Sequence, residues 1–212
     1  MTQEFPPSDF DDWAATYDES VAPGSGFPFY GYQEVLQTIF QGAALQAGSS
    51  VLDLGIGTGN LAARFAQAGC EIWGVDFSKK MIELAARKLP RAYLAVADIR
   101  SEWPPEFQRR FSAIVSAYTF HHFPLQEKVV LVKRLMSNHL EPGGRMVIGD
   151  IAFSDAASED ALRKSLGNDW EQEYYWLADE TLAVINAAGI PAKYTQISSC
   201  AGIFEFKAGK TG

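Results

Sequence analysis

Apolar runs and amphipathic stretches alternate along the chain from residue 33 onwards. The runs are apolar nearly throughout, which predicts buried strands: SVLDLGI, EIWGVDF, AYLAVADI, FSAIVSAY and RMVIGDI. The stretches between them repeat apolar residues every three or four positions, which predicts helices, as with Leu125, Val129, Val132, Met136 and Leu140. Strands without a polar face, separated by helices, are typical of a parallel sheet covered on both sides.

The final part of the chain breaks this alternation. After residue 155 comes a polar and aromatic segment, SLGNDWEQEYYWL, and a helix follows it. Two closing strands, AKYTQIS and GIFEFKA, lie close enough in sequence to form an antiparallel pair at one edge of the sheet. We therefore predict an α/β fold in one domain, with a doubly wound, mostly parallel sheet and helices on both faces.

Composition narrows the possible partners. The chain has 18 Lys and Arg residues against 26 Asp and Glu residues, which gives a formal net charge of -8. Because such a surface repels phosphate backbones and anionic lipid, we expect neither a nucleic acid nor a membrane partner. Two cysteines, Cys70 and Cys200, are too few for a disulfide framework. With no signal-like or membrane-spanning run, the expected location is cytoplasmic.

The stretch VLDLGIGTGN, residues 51–60, predicts a ligand-binding loop directly after the first strand. A nucleoside triphosphate loop of the GxxxxGK[ST] type is excluded because this loop contains no lysine. A dinucleotide loop stays possible, since GTGNLA fits GxGxx[GA] and Asp76 ends the second strand, so an NAD(P)-binding oxidoreductase is one alternative. Against it, the chain has no Tyr-x-x-x-Lys pair.

Three acidic residues at strand ends favour a nucleoside cofactor without a pyrophosphate. Asp53 lies two residues before Gly55, where it would repel a pyrophosphate but suit a ligand carrying an ammonium group and a sulfonium. Asp76 could accept both ribose hydroxyls. Asp98 could accept from an adenine amino group while the N–H of Ile99 donates to the ring. The glycines would let the backbone approach such a ligand closely.

With these features the chain resembles the class I S-adenosylmethionine-dependent methyltransferases. The segments that carry the resemblance are VLDLGIGTGNLA, GVDFSKKMIELAARKLP, ADI, IVSAYTFHHF and LEPGGRMVIGDI. The flanking FDDWAATYDE and EQEYY resemble bacterial methyltransferases of the YrrT kind. The resemblance implies a Rossmann-like methyltransferase fold with seven strands in the order 3-2-1-4-5-7-6, the last antiparallel, and S-adenosyl-L-methionine as cofactor.

The resemblance also assigns parts of the chain to functions within one methyltransferase domain, residues 1–212. The parts are an N-terminal lid segment (1–32), a cofactor-binding core (33–151), a substrate-side insertion (152–178), and a closing helix with a strand pair (179–212). The expected cofactor-binding residues are Tyr17, Asp53, Gly55, Gly57, Gly59, Asp76, Phe77, Asp98, Ile99 and Ala117. The expected substrate-binding residues are Tyr32, Tyr118, Tyr174 and Tyr175.

The chemistry of the acceptor is predicted only in outline. His121 and His122 follow the fourth strand, near the expected methyl position, and histidine has the pKa range of a general base. Two adjacent histidines lack a third ligand, so no metal is expected. An aromatic, non-basic lid favours a small-molecule acceptor, and DNA-type chemistry is excluded because SAYTF replaces the [DNS]PP[YF] tetrad. A non-catalytic S-adenosylmethionine-binding protein is the second alternative.

Overall fold

One sheet of eight strands forms the centre of the molecule, in a computed structural model that describes residues 7–207 and the side chains of residues 10–207. The strands are β1 (Ser50–Leu54), β2 (Glu71–Asp76), β3 (Tyr93–Val96), β4 (Phe111–Ala117), β5 (Leu140–Phe153), β6 (Trp176–Leu177), β7 (Ala192–Gln196) and β8 (Ala201–Lys207). The helices are α1 (Pro7–Trp13), α2 (Tyr17–Ser20), α3 (Tyr32–Ala43), α4 (Asn60–Gln67), α5 (Lys79–Lys88), α6 (Leu125–Asn138), α7 (Ala156–Leu166) and α8 (Ala178–Ala187).

The order of the strands confirms the predicted topology. It is β3-β2-β1-β4-β5-β8-β7, which equals 3-2-1-4-5-7-6 once the two closing strands are counted as sixth and seventh. The last strand, β8, is antiparallel to both β5 and β7. The structure adds β6, a two-residue strand parallel to the end of β5, which the sequence analysis missed because two residues show no periodicity.

Local capping explains where two of the helices begin. The Ser78 hydroxyl accepts a hydrogen bond of 3.1 Å from the N–H of Met81 at the start of α5, as expected for a serine cap. Asp155 caps α7 in the same way, accepting from the N–H of Ser158 at 2.8 Å. Helix α7 lies in the segment after residue 155, and none of its residues is buried, so no apolar face marked it in the sequence.

The core has two parts, one on each face of the sheet. Successive strand residues point to opposite faces, so Met146 and Ile148 belong to the cluster beneath α6 and α8, while Val147 between them faces α3 and α4. Within the described residues, no helix has the length and apolar character needed to cross a membrane. Burial on both faces accounts for the nearly continuous apolar runs in the sequence.

The close approach of α3 to β5 gives a prediction about stability. A Cβ on Gly149 would lie 2.6 Å from Cγ1 of Val35, 2.7 Å from Cδ1 of Ile39 and 2.8 Å from Cδ1 of Ile203. We expect Gly149→Ala to lower the free energy of unfolding by roughly 1–3 kcal/mol, because all three neighbours are buried and have little room to move. Urea denaturation measures this change.

The matched control is Gly26→Ala, since a Cβ at Gly26 has no described atom within 4 Å. That variant should change the free energy of unfolding by less than about 0.5 kcal/mol. Equal losses in the two variants would show that the contact between α3 and β5 tolerates an added methyl group.

Candidate functional site

A cavity of about 460 Å³ opens at the carboxyl ends of β1, β2 and β4. The chain winds outwards from β1 to β3 and then returns to β4 on the other side of β1, so the cavity lies where the winding reverses. Ten of the predicted site residues line it: Tyr17, Gly55, Gly57, Asp76, Phe77, Ala117, Tyr118, His121, His122 and Tyr175. The volume is within the usual range for small-molecule sites.

The other predicted residues lie at different distances from this cavity. Asp53 and Tyr32 line a much smaller adjoining pocket that shares Tyr17, Gly55 and Gly57 with the main one. Four further predicted residues line neither space: Gly59, Asp98, Ile99 and Tyr174. Asp98 is half-buried, Ile99 is buried, and the Tyr174 side chain is exposed.

The three glycines of the loop differ in the structural reason that requires a glycine. A Cβ on Gly55 would lie 2.2 Å from Oγ1 of Thr119, and a Cβ on Gly59 would lie 2.9 Å from Cδ1 of Leu89. Gly57 has a φ of +54° and no described atom within 4 Å of the position of a Cβ. Gly55 and Gly59 are therefore needed for close packing inside the protein, whereas Gly57 offers bare backbone to a ligand.

Asp76 is the carboxylate at the edge of the main cavity. Its Oδ2 accepts from the N–H of Gly57 at 2.8 Å, and its Oδ1 accepts from the N–H of Ser78 at 2.9 Å. Burial raises the pKa of Asp76 to about 6, although the N–H groups of Ser78 and Gly57 act in the opposite direction. Both oxygens keep lone pairs, so the carboxylate can accept hydroxyl groups from a ligand.

Asp53 is a fully buried carboxylate beside the same loop. Its Oδ2 has no hydrogen-bond partner among the described residues. Burial and the nearby charge of Asp76 raise the pKa of Asp53 well above its usual value. A buried acceptor without a donor is costly for the protein alone, so this position suits a ligand that brings a donor or a positive charge.

Asp98 is turned towards its own chain instead of towards the cavity. The guanidinium of Arg100 donates to Oδ1 of Asp98 at 3.1 Å and to Oδ2 at 2.7 Å, and the backbone N–H of Arg100 donates to Oδ1 at 2.8 Å. Burial opposes ionisation of Asp98, but these hydrogen bonds outweigh it and hold its pKa below the usual value. The local turn after β3 therefore satisfies the carboxylate that the sequence analysis assigned to adenine.

The N-terminal segment covers the cavity and is attached at two points. Phe10, Trp13 and Tyr17 form part of the cavity wall. Asp11 accepts from the Ser78 hydroxyl at 2.6 Å and from the N–H of Lys80 at 3.2 Å. This first latch, as we call the contacts of Asp11, fixes α1 to the start of α5.

The second latch is formed by Asp18 at α2. Its carboxylate accepts from Oγ1 of Thr58 at 2.6 Å, from the side-chain amide of Asn60 at 2.9 Å and from the ammonium of Lys88 at 3.1 Å. Burial opposes ionisation, but these partners outweigh it and lower the pKa of Asp18. Neither aspartate was identified from the sequence, because the two latches join segments far apart along the chain.

Tyr118 follows β4 in a conformation that is uncommon for a residue with a side chain. Its φ is +53°, and its ring stacks on Tyr32 with 5.5 Å between centroids. The buried hydroxyl has no hydrogen-bond partner among the described residues, and the residue lines the cavity. Backbone strain of this kind concentrates at functional sites, and the role of Tyr118 in substrate binding stays a prediction.

His121 lines the cavity from the 3₁₀ turn Phe120–His122, which follows β4. Its Nδ1 lies 2.6 Å from Oδ1 of Asp150, which is completely buried on β5. The N–H of Ile151 donates to the same Asp150 oxygen at 2.8 Å, and Nε1–H of Trp176 donates to the other at 2.9 Å. Asp150 therefore fixes the orientation of the His121 ring.

Glu173 lies in the segment after α7, and its side chain contacts this turn. Its Oε2 lies 3.2 Å from Nε2 of His121 and 3.6 Å from Nδ1 of His122. The N–H of Tyr174 donates to the carbonyl of His121 at 3.0 Å, and the buried ammonium of Lys128 donates to the carbonyl of Tyr174. We call His121, His122 and Glu173 the acceptor-end cluster.

Burial and neighbouring charges change the pKa values in this region. Burial lowers the pKa of His121, but Asp150 outweighs it and the net pKa is raised. Burial and the proximity of His121 lower the pKa of His122 to about 2, and burial lowers the pKa of Lys128 to about 7. A general base at neutral pH must be neutral yet basic, and these values suit neither histidine to that role on its own.

Sequence reasoning identified the histidines but missed Glu173, Asp150 and Lys128 as their partners. Glu173 lies in the EQEYY segment, which carried part of the resemblance. The sequence therefore marked this segment but assigned no role to Glu173. The three partners come from α6, β5 and the segment before β6, and only the tertiary fold brings them together.

Comparison with known proteins agrees with this architecture. Residues 51–144 match the family model described as a methyltransferase domain. An uncharacterized methyltransferase of Bacillus velezensis is 35% identical over 217 residues, covering 97% of this chain and 98% of the relative. The chain belongs to the YrrT-like family of methyltransferases. The methyltransferase YrrT of Bacillus subtilis is 34% identical over 218 residues, with 97% and 98% of the two chains covered.

A solved structure extends the comparison to the fold. The structure of the DhpI–SAH complex matches this methyltransferase with a TM-score of 0.72 and 17% identity, covering 96% of this chain and 95% of that one. The expected Rossmann-like methyltransferase fold and the family resemblance are thereby confirmed.

The second latch gives a prediction about the lid segment. Asp18→Asn removes the charge that Lys88 and Thr58 bind, and we expect the N-terminal segment to open about fivefold more often, from a loss of about 1 kcal/mol. Limited proteolysis with chymotrypsin, which cleaves after aromatic residues such as Trp13, should be faster by a similar factor. The thermal midpoint should change little, because the latch is separate from the core.

Asp12→Asn is the matched control. Its side chain is 89% exposed and lies 3.7 Å from Lys80, and such surface pairs contribute little. Equal cleavage rates for Asp12→Asn and Asp18→Asn would show that Asp18 does not hold the segment closed.

Proposed function

We propose that this methyltransferase uses S-adenosyl-L-methionine to methylate a small molecule. The observation that carries the proposal is the pair of buried carboxylates, Asp53 and Asp76, on either side of the glycine loop at the carboxyl end of the sheet. One carboxylate has an oxygen without a donor, and the other has free lone pairs at the cavity edge. Both carboxyl groups can accept further hydrogen bonds, so the site fits a cofactor with ribose hydroxyls and a positively charged amino-acid end.

The placement of the residues supports separate roles for them. Asp76 would accept the ribose hydroxyls, Asp53 would lie near the ammonium group, and the bare backbone of Gly57 would allow close approach, with Gly55 beside it in the cavity wall. The cavity wall beside them is completed by Tyr17, Phe77 and Ala117. Gly59, Asp98 and Ile99 are given no cofactor contact in this proposal, because they lie outside the cavity wall.

Asp53 also argues against the first alternative, an NAD(P)-binding oxidoreductase. A pyrophosphate carries negative charge, and placing it beside the buried carboxyl group of Asp53 would add repulsion in a region of low dielectric constant, whereas Asp76 suits the ribose of either cofactor. The second alternative, a protein that binds the cofactor without catalysis, gives the acceptor-end cluster no role. The arrangement of Glu173 and two histidines in the cavity wall therefore supports an enzyme.

The cavity favours a small acceptor. Its outer part is lined by aromatic side chains, including Phe10, Trp13 and Tyr175, and no Lys or Arg among the described residues lines it. Nucleic acid recognition depends on such cations. Tyr118 would contribute its hydroxyl to the acceptor, and Tyr175 its ring; Tyr32 lies in the adjoining pocket, and Tyr174 contributes its backbone instead of its side chain.

The bound cofactor would supply an activated methyl group on a sulfonium. The acceptor atom displaces the sulfur in line, so the new bond to the methyl carbon forms as the sulfur–methyl bond breaks. The protein must align the acceptor and exclude water, and the latched N-terminal segment with its aromatic side chains supports both tasks. His121 and His122 would face the acceptor.

Isothermal titration calorimetry tests the cofactor. We expect micromolar binding of S-adenosylmethionine and S-adenosylhomocysteine and no binding of NAD. Binding of NAD alone would overturn the proposal and favour the oxidoreductase.

The raised pKa of Asp76 predicts how this binding depends on pH. Ribose hydroxyls stabilise the ionised carboxylate, whereas the free protein binds a proton at Asp76 below pH of about 6. Affinity for S-adenosylhomocysteine should therefore be constant above this pKa and decrease by up to about tenfold per pH unit below it. Calorimetry across a series of buffers measures the profile.

Two variants make this prediction specific. Asp76→Asn should lower the affinity in alkaline buffer by about 10–100-fold, because a charged acceptor is lost, and should flatten the pH profile. Asp98→Asn should leave the affinity and its pH profile unchanged, since Asp98 is paired with Arg100 outside the cavity. A larger loss in Asp98→Asn than in Asp76→Asn would place the nucleoside elsewhere.

A further inference from the structure

We propose that the acceptor-end cluster binds one divalent transition-metal ion. One ligand atom from each of the three residues lies within 4.8 Å of the others, and the shortest described contacts are those of Nε2 of His121 and Nδ1 of His122 with Oε2 of Glu173. The sequence analysis expected no metal because two adjacent histidines lack a third ligand. The structure supplies that ligand from a segment distant along the chain.

The distances between the ligand atoms fit coordination. Oε2 of Glu173 lies 3.2 Å from Nε2 of His121 and 3.6 Å from Nδ1 of His122. Nitrogen and oxygen ligands lie about 2.0–2.2 Å from a zinc-like ion, which places neighbouring ligands roughly 3–3.5 Å apart. The two contacts of Glu173 therefore match the spacing of neighbouring ligands around one ion.

A shared proton does not account for the cluster as well as an ion does. The buried carboxylate of Asp150 accepts the Nδ1–H of His121, so in the neutral ring the lone pair is on Nε2, 3.2 Å from Oε2 of Glu173. Three electron-pair donors, including Nδ1 of His122, then converge on one small region. One proton can bridge only two of them, whereas a metal ion can be coordinated by all three.

The surroundings of the cluster resemble the outer shell of a metal site. Ligating histidines usually donate their second ring N–H to a carboxylate, which fixes the ring and raises the basicity of the ligand. Asp150 is the carboxylate that accepts from His121, and Trp176 donates a hydrogen bond to its other oxygen. Next to Glu173, the backbone carbonyl of Tyr174 accepts from the buried Lys128, which fixes the chain beside the carboxylate. The orientation of His121 is therefore set before an ion binds.

The donor atoms indicate which ions fit. Two imidazoles and one carboxylate suit zinc, cobalt, nickel or iron, whereas magnesium and calcium prefer oxygen ligands throughout. All three residues line the cavity. Because three protein ligands leave at least one coordination position unfilled, that position would face the acceptor.

The role of the ion in catalysis rests on the proposed function. A hydroxyl or thiol of the acceptor that coordinates a divalent ion has a lowered pKa and loses its proton to water. The resulting anion then attacks the methyl carbon, its bond to that carbon forms, and the sulfur–methyl bond breaks. The substrate class is therefore a small alcohol, phenol or thiol, and proton removal needs no separate base.

The test uses the full chain without a histidine tag, treated with a chelator and then titrated with zinc chloride by calorimetry. We expect one zinc ion per chain with micromolar or tighter affinity. Glu173→Gln and, as a second variant, His122→Gln should each weaken zinc binding at least tenfold. Substituting cobalt should give a visible absorption band that both variants lose.

Two controls separate this site from adventitious binding. Glu171→Gln changes a neighbouring acidic residue of the cavity wall that is outside the cluster. His139→Gln removes the one other histidine of the chain. Both should bind zinc like the unmodified protein, and circular dichroism shows that each variant is folded.

Zinc binding that is absent, or unchanged in both Glu173→Gln and His122→Gln, would overturn the proposal. S-adenosylhomocysteine binding is measured in parallel on the same samples. Cofactor binding without zinc binding rejects the metal site alone, whereas zinc binding without cofactor binding rejects the proposed function and keeps the site.

Discussion

The carboxylate of Asp76 connects three separate segments around the cavity. One oxygen accepts from Gly57 in the loop after β1, and the other accepts from Ser78 at the start of α5. The Ser78 hydroxyl in turn donates to Asp11 of the N-terminal segment. Loop, helix and lid therefore share one buried charge, and the raised pKa of Asp76 reflects the cost of holding it there.

Two parts of the site differ in chemistry. The side at the glycine loop has a buried acceptor without a donor, Oδ2 of Asp53, which suits a ligand that brings a hydroxyl or ammonium group. The other group of polar side chains in the cavity wall is the acceptor-end cluster, which Asp150 and Lys128 support. Aromatic side chains such as Trp13 also line the cavity.

The sequence predicted what depends on periodicity or on one short segment. The five apolar runs became strands in the predicted order, and Gly55 and Asp76 line the cavity. The sequence analysis placed Leu140 on the preceding helix, but β5 begins there: Leu140 pairs with Phe111 of β4, and the register shifts before Arg145 pairs with Ala113. Asp98 follows a strand as expected, but Arg100 two residues later binds it. Glu173 could not be placed, since its position depends on backbone contacts with a distant turn.

The two latches have a kinetic consequence. Asp11 and Asp18 bind residues of the same loops and helices that border the glycine end of the cavity, including Thr58 and Ser78. A ligand bound there would lie beneath the closed segment and would exchange with solvent only after both latches break. Turnover in such an arrangement is limited by the rate of lid opening when chemistry is fast.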